Sequence, residues 1–218
     1  MIVLIDLDNT LVDRRAAFDT WVSAFVAEIG GTDADTAWLL AEDRDGYQPR
    51  AALAQAVLDR FQLTSTPGQL VDRLLYEHVD LIELLPGVRA GLDALAAGGA
   101  RIVVVTNGTV AQQTAKLLRT GLQRHLDDVV ISEAVGVKKP DPRIFAAAIR
   151  QAIVAGGSGS TWMIGDHPTA DIAGARDCGL QTGWVSHRCE WTADWSPTIT
   201  GRTTVEVFDL LLQLAPTQ

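Results

Sequence analysis

The sequence predicts an α/β chain: a doubly wound, Rossmann-like parallel sheet carrying one all-helical insertion. Short apolar, partly β-branched runs alternate with helical periodicities along most of the chain. The gap after the first run is the exception, because it holds helical patterns only. Polar clusters follow several of the runs, and open α/β sheets place their ligand crevices at those strand ends.

The predicted strands lie at 2–5, 102–105, 129–131, 162–164 and 182–185. In the long first gap, Phe18, Trp21, Val22, Phe25, Val26 and Ile29 recur at helical spacing until Gly30 and Gly31 stop them. Residues 36–42 form a weaker helical pattern, and Leu53, Val57, Leu58 and Phe61 mark another beginning after Pro49. Leu70, Val71, Leu74, Leu75, Val79 and Ile82 predict one more helix, which Pro86 and Gly87 close. The expected division is therefore a core of 1–11 with 86–218 and a helical insertion of 12–85. The glycine-rich stretch 156–160 precedes a strand, whereas a dinucleotide-binding fingerprint follows one, so it reads as a connector.

Composition narrows the partners. The 218 residues carry 27 acidic against 18 basic side chains, a formal net charge of -9. That charge repels phosphate backbones and anionic lipid, so neither nucleic acid nor a membrane surface is the expected partner. The apolar runs are too short to span a bilayer, and no basic region precedes Asp6, so no signal peptide is expected. Cys178 and Cys189 form no CxxC pair, and His187 with Cys189 lacks the spacing of a zinc site. A reducing, cytoplasmic setting is expected; the oligomeric state is left open.

Four polar clusters carry the chemistry. The first run leads straight into Asp6-Leu7-Asp8-Asn9-Thr10, and residues i and i+2 of an extended chain share one side. The second ends in Thr106-Asn107-Gly108; Lys138-Lys139-Pro140-Asp141-Pro142 follows, and then Gly165-Asp166-His167-Pro168-Thr169-Ala170-Asp171. Each has a plain structural reading as a turn, a solvated basic pair or a helix cap. Together, in this order and at these places, they point to one site.

The segments DLDNT, TNG, KKPDP and GDHPTAD resemble, in order, the four motifs of the haloacid dehalogenase-like hydrolase superfamily. The resemblance implies a C1 cap for the helical insertion. It also implies Asp6 as a nucleophile, with Asp8 as the acid and then the base. Crowding by other carboxylates would keep Asp8 protonated. Thr106 and Asn107 would hold phosphoryl oxygens, and Lys139 would offset charge on nucleophile and phosphate. A magnesium ion would lie on the Asp6 carboxylate, the Asp8 backbone carbonyl and Asp166, with Asp171 in support. Lys138 is read as a solvated neighbour, and His167 as a solvated loop residue within reach of substrate.

The implied activity is Mg²⁺-dependent hydrolysis of a small soluble phosphorylated metabolite. Phosphomutase, haloacid dehalogenase and a non-catalytic binding module remain alternatives. The dehalogenases of this family lack the second aspartate, which this chain has as Asp8. In the insertion, the polar turn from Asp43 to Arg50 offers Arg44, Tyr47 and Arg50 as contacts to a leaving group, or equally as an exposed helix connection.

Overall fold

The computed structural model describes residues 1–214. The chain divides into two compact units, Met1–Val12 together with everything from Leu84 onward, and Asp13–Glu83. The first strand, β1 (Ile2–Ile5), is buried at every residue, which is why its sequence IVLI shows no alternation.

The unit Asp13–Glu83 is helical: α1 (Arg14–Glu28), α2 (Asp33–Asp43), α3 (Arg50–Phe61) and α4 (Pro67–Tyr76). Local chemistry starts three of these helices. The Asp13 carboxylate accepts the Ala16 N–H at 2.9 Å to cap α1. Thr32 with Asp35, and Thr66 with Gln69, form capping boxes at α2 and α4. Phe18, Trp21 and Phe25 of α1 then pack with Leu39, Leu53 and Leu74 into a core of this unit's own. The helix predicted through Ile82 ends at Tyr76 and tightens into a 3₁₀ segment, Glu77–Leu81.

From Leu84 the chain forms α5 (Val88–Ala97), β2 (Arg101–Thr106), α6 (Val110–Thr120), β3 (Asp128–Ile131), α7 (Ser132–Val135) and α8 (Pro142–Val154). It continues through β4 (Thr161–Gly165), α9 (Gly174–Asp177), β5 (Gln181–Val185), β6 (Ile199–Gly201) and α10 (Thr204–Leu214). The strands make one six-stranded sheet in the order β3-β2-β1-β4-β5-β6, with every pairing parallel. The sixth strand has no counterpart in the sequence reading. Its three residues, Ile199-Thr200-Gly201, are too few to show a period, and pairing with β5 makes them a strand.

Ile2, Leu4, Val103, Val105 and Met163 pack under Ile144, Phe145 and Ala148 of α8. This core fixes the register in which Ile5 stands opposite Val104 on one side and Ile164 on the other. Strand order reverses at β1, so the C-terminal ends of β2, β1 and β4 lie side by side at the switch point. Thr106 closes β2, and Asp6 and Asp166 directly follow the last residues of β1 and β4. No helix among the described residues is long and apolar enough to cross a membrane.

Candidate active site

Asp6 leaves β1 with its N–H donating to the Ile164 carbonyl at 2.9 Å, which ties it to the end of β4. Its carboxylate is buried against the ammonium of Lys139, which is 3% exposed. The same ammonium pairs with Asp171 at 2.7 Å. Lys138 is exposed.

Asn107 holds that lysine in place. Its amide oxygen accepts the Lys139 N–H at 2.8 Å, and its amide nitrogen donates to the Lys139 carbonyl at 3.1 Å. Both ends of the Asn107 side chain are thus committed to the backbone that carries Lys139. The neighbouring Thr106 is buried, and its hydroxyl accepts from the Gln113 amide.

Asp171 reaches Lys139 through an unusual turn. Pro168–Ala173 winds as a π-helix, so the Ile172 N–H reaches the His167 carbonyl at 3.3 Å. Such wide turns recur at functional sites. The second Asp171 oxygen accepts the His167 N–H at 3.0 Å. A Cβ on Gly165 would lie 2.3 Å from that oxygen, so only glycine lets the carboxylate close over the end of β4. The His167 ring caps this turn, its Nδ1 accepting the N–H groups of Thr169 and Ala170 at 3.1 and 2.9 Å. Asp166 is half-buried, and its carbonyl is anchored by the Trp184 indole N–H at 2.9 Å.

Burial raises the pKa of Asp6 from 3.8 to about 7; the charges of Asp171 and Asp8 add to the rise, and the Lys139 ammonium opposes it. Burial by itself would lower the pKa of Lys139, but the Asp171 and Asp6 carboxylates outweigh it and leave the ammonium pKa raised. With all three groups ionised, two carboxylates face one ammonium. The pocket is short of positive charge.

Carboxylate oxygens of Asp6, Asp166 and Asp171 lie within 4.8 Å of one another. Asp171 meets both Lys139 and the His167 backbone, so Asp6 and Asp166 are the carboxylates that would face a cation. An all-oxygen donor set beside uncompensated negative charge suits a hard divalent ion such as Mg²⁺. The residues present therefore fit the metal that the sequence motifs imply.

Asp8 departs from expectation in its surroundings. Its carboxylate oxygens lie 2.7 and 2.8 Å from the ammonium of Lys116 on α6, and one of them accepts from the Gln113 amide at 3.1 Å. A positive charge, that of Lys116, is in direct contact with Asp8, beside the Asp6 carboxylate whose field Asp8 also feels. Sequence reasoning missed Lys116 and Gln113 because the inner face of α6 is mostly polar: Gln112, Gln113, Lys116 and Thr120 are all buried. Apolar periodicity does not find such a face. The available signal was a glutamine and a lysine at i and i+3 on a helix opening four residues after Thr106.

Within the helical unit, Arg50 is also committed. It shares the buried Asp43 carboxylate with Arg14, whose guanidinium approaches at 2.6 Å. Burial alone would raise the pKa of Asp43, and the two guanidinium groups outweigh it to leave that pKa lowered. Arg44 and Tyr47 are exposed.

Comparison with known proteins supplies an independent reading of these motifs. A family described as haloacid dehalogenase-like hydrolase matches residues 1–179. The chain is 37% identical over 151 residues to the pyrimidine 5'-nucleotidase YjjG of Escherichia coli, covering 69% of this chain and 66% of that protein. It is 31% identical over 216 residues to the pyrimidine 5'-nucleotidase PynA of Streptococcus pneumoniae, covering 90% and 88%. Its fold matches the magnesium-bound HAD-hydrolase YfnB of Bacillus subtilis at a TM-score of 0.78 and 23% identity, over 96% of this chain and 97% of that one.

Proposed function

The chain belongs to the haloacid dehalogenase-like hydrolases, and from that premise we propose that it is a Mg²⁺-dependent phosphatase acting on a small soluble phosphomonoester. One observation carries the reading: a buried carboxylate, Asp6, is held against a buried ammonium, Lys139, within reach of a second carboxylate, Asp166.

In this reading an Asp6 oxygen attacks phosphorus, and the bond from phosphorus to the leaving oxygen breaks to give an aspartyl-phosphate. Asp8 gives a proton to the departing oxygen. A water then attacks the same phosphorus, Asp8 takes its proton, and the bond to Asp6 breaks to release orthophosphate. Thr106 receives the phosphoryl oxygens with its hydroxyl, and Asn107 with its backbone N–H, its side chain being engaged elsewhere. Lys139 keeps positive charge beside the reacting carboxylate throughout, and Asp171 keeps Lys139 in place. The Asp6 and Asp166 carboxylates and the Asp8 carbonyl would hold Mg²⁺. When bound, the ion supplies positive charge against the phosphate dianion, which these carboxylates otherwise repel. We assign the helical unit the role of a C1 cap that selects the leaving group.

The two nucleotidase relatives put pyrimidine nucleoside monophosphates first among the substrates to be tried. The test is orthophosphate release from a panel of these nucleotides, sugar phosphates and phosphorylated acids, with and without Mg²⁺. Metal-dependent turnover of at least one ester is expected. Release of halide from a 2-haloacid with no turnover of any phosphate ester overturns the reading. So does transfer of phosphate between sugar positions without net orthophosphate.

A further inference from the structure

Lys116 is almost wholly buried, and nothing in the four sequence motifs explains it. A lysine loses several kcal/mol of hydration on burial unless it is paired with good geometry. Here its ammonium meets both oxygens of one carboxylate, Asp8, at 2.7 and 2.8 Å. One turn earlier on the same helix face, the buried Gln113 amide donates to Asp8 at 3.1 Å and to the Thr106 hydroxyl. The space for that amide is kept by Gly108, where a Cβ would come within 3.0 Å of the Gln113 side chain. Gln113 therefore ties Asp8, just past β1, to Thr106, at the end of β2, while Lys116 holds the same Asp8 carboxylate.

We propose that Lys116, seconded by Gln113, is a positioning residue for phosphoryl transfer: it holds the Asp8 carboxyl in one orientation beside the phosphate-binding threonine. The inference rests on the phosphatase reading and adds to it a residue that touches neither phosphorus nor metal. A carboxyl that must hand a proton to a leaving oxygen has to lie within hydrogen-bond reach of it. Asp8 is partly solvent-facing, at 26% side-chain exposure, so packing alone does not hold it. The fixed, buried end of the pair is Lys116.

The leaving group separates positioning from general structural support. A 4-nitrophenolate ion departs without a proton, whereas an alkoxide needs one. Moreover, kcat/KM reports only the steps through the first irreversible bond cleavage. The experiment compares kcat/KM for 4-nitrophenyl phosphate and for the best alkyl phosphate of the panel, using wild-type protein, Lys116→Met and Lys116→Arg with Mg²⁺ present. Lys116→Met is expected to lose about 30-fold or more on the alkyl ester, a part of the roughly 10²–10⁴-fold a general acid contributes, and less than about 5-fold on the aryl ester. Lys116→Arg, which can still meet a carboxylate with two donors, is expected to recover most of the alkyl activity.

Equal losses on both esters, or a gain on the alkyl ester, overturn the proposal while leaving the phosphatase reading standing. A wild-type protein that turns over neither ester overturns both. Should Lys116→Met fail to fold, as judged by circular dichroism, Lys116→Gln is measured in its place under the same criteria.

Discussion

Asp6 and Asp171 share one buried ammonium, that of Lys139, which lies 2.7 Å from Asp171. Two carboxylates and one ammonium leave the site short of a positive charge. Burial chiefly raises the Asp6 pKa to about 7, Lys139 opposes the rise, and the charges of Asp171 and Asp8 add to it. A cation bound there would relieve the electrostatic cost of bringing these carboxylates together.

The first consequence concerns pH. Asp6 titrates near its ordinary 3.8 in the unfolded chain and at about 7 in the folded one. Between these values the folded state binds more protons, so this group's contribution to stability falls as pH rises. Asn in its place has no such loss. In chelator-treated protein, the Tm of Asp6→Asn minus that of wild type is therefore expected to increase steadily from pH 4 to pH 8. A difference that is flat or shrinks across that window contradicts the raised Asp6 pKa.

The same substitution tests the chemistry. Asp6→Asn is expected to lose about 10³-fold or more in turnover while keeping its fold and most of its affinity for orthophosphate, because the nucleophilic carboxylate is replaced by a neutral amide of the same shape. Activity within about tenfold of wild type, or failure of a beryllium fluoride mimic to bind at Asp6, rules out the aspartyl-phosphate.

Metal replacement is the third test. Chelation is expected to abolish turnover, Mg²⁺ to restore it and Ca²⁺ to restore it poorly. Calcium takes more ligands at about 2.3–2.6 Å, against about 2.0–2.1 Å for magnesium, and so shifts the reacting groups out of line. Full turnover of a phosphate ester in metal-free buffer would overturn the Mg²⁺ dependence.

The helical unit has its own electrostatic weak point. Asp43 is buried between the guanidinium groups of Arg14 and Arg50. Removing it leaves two cations without their shared partner, Arg14 being only 4% exposed. Asp43→Ala is expected to cost about 3–5 kcal/mol in urea unfolding. Loss of less than about 1 kcal/mol, the range of an exposed pair, would show that the cluster is solvated.

The amino-acid sequence by itself determined the sheet class, five of the six strands and the four polar clusters, because these are local signals. Buried parallel strands read as unbroken apolar runs, such as IVLI, and helices announce themselves by their period and caps. It also determined which residue types stand at the strand ends. Only the tertiary structure decided which of them meet. Thr106 and Asp6 become neighbours because β2 pairs with β1, and Asp166 joins them because β4 pairs on the other side. Asn107 turns its amide onto the Lys139 backbone, 32 positions along the chain. Lys116 and Gln113 stayed hidden for the same reason. A polar side chain on a helix reads as a solvated face until packing buries it, and its partner Asp8 stands 108 residues away. Burial and long-range pairing are properties of the folded chain, and here they decide which charges are compensated.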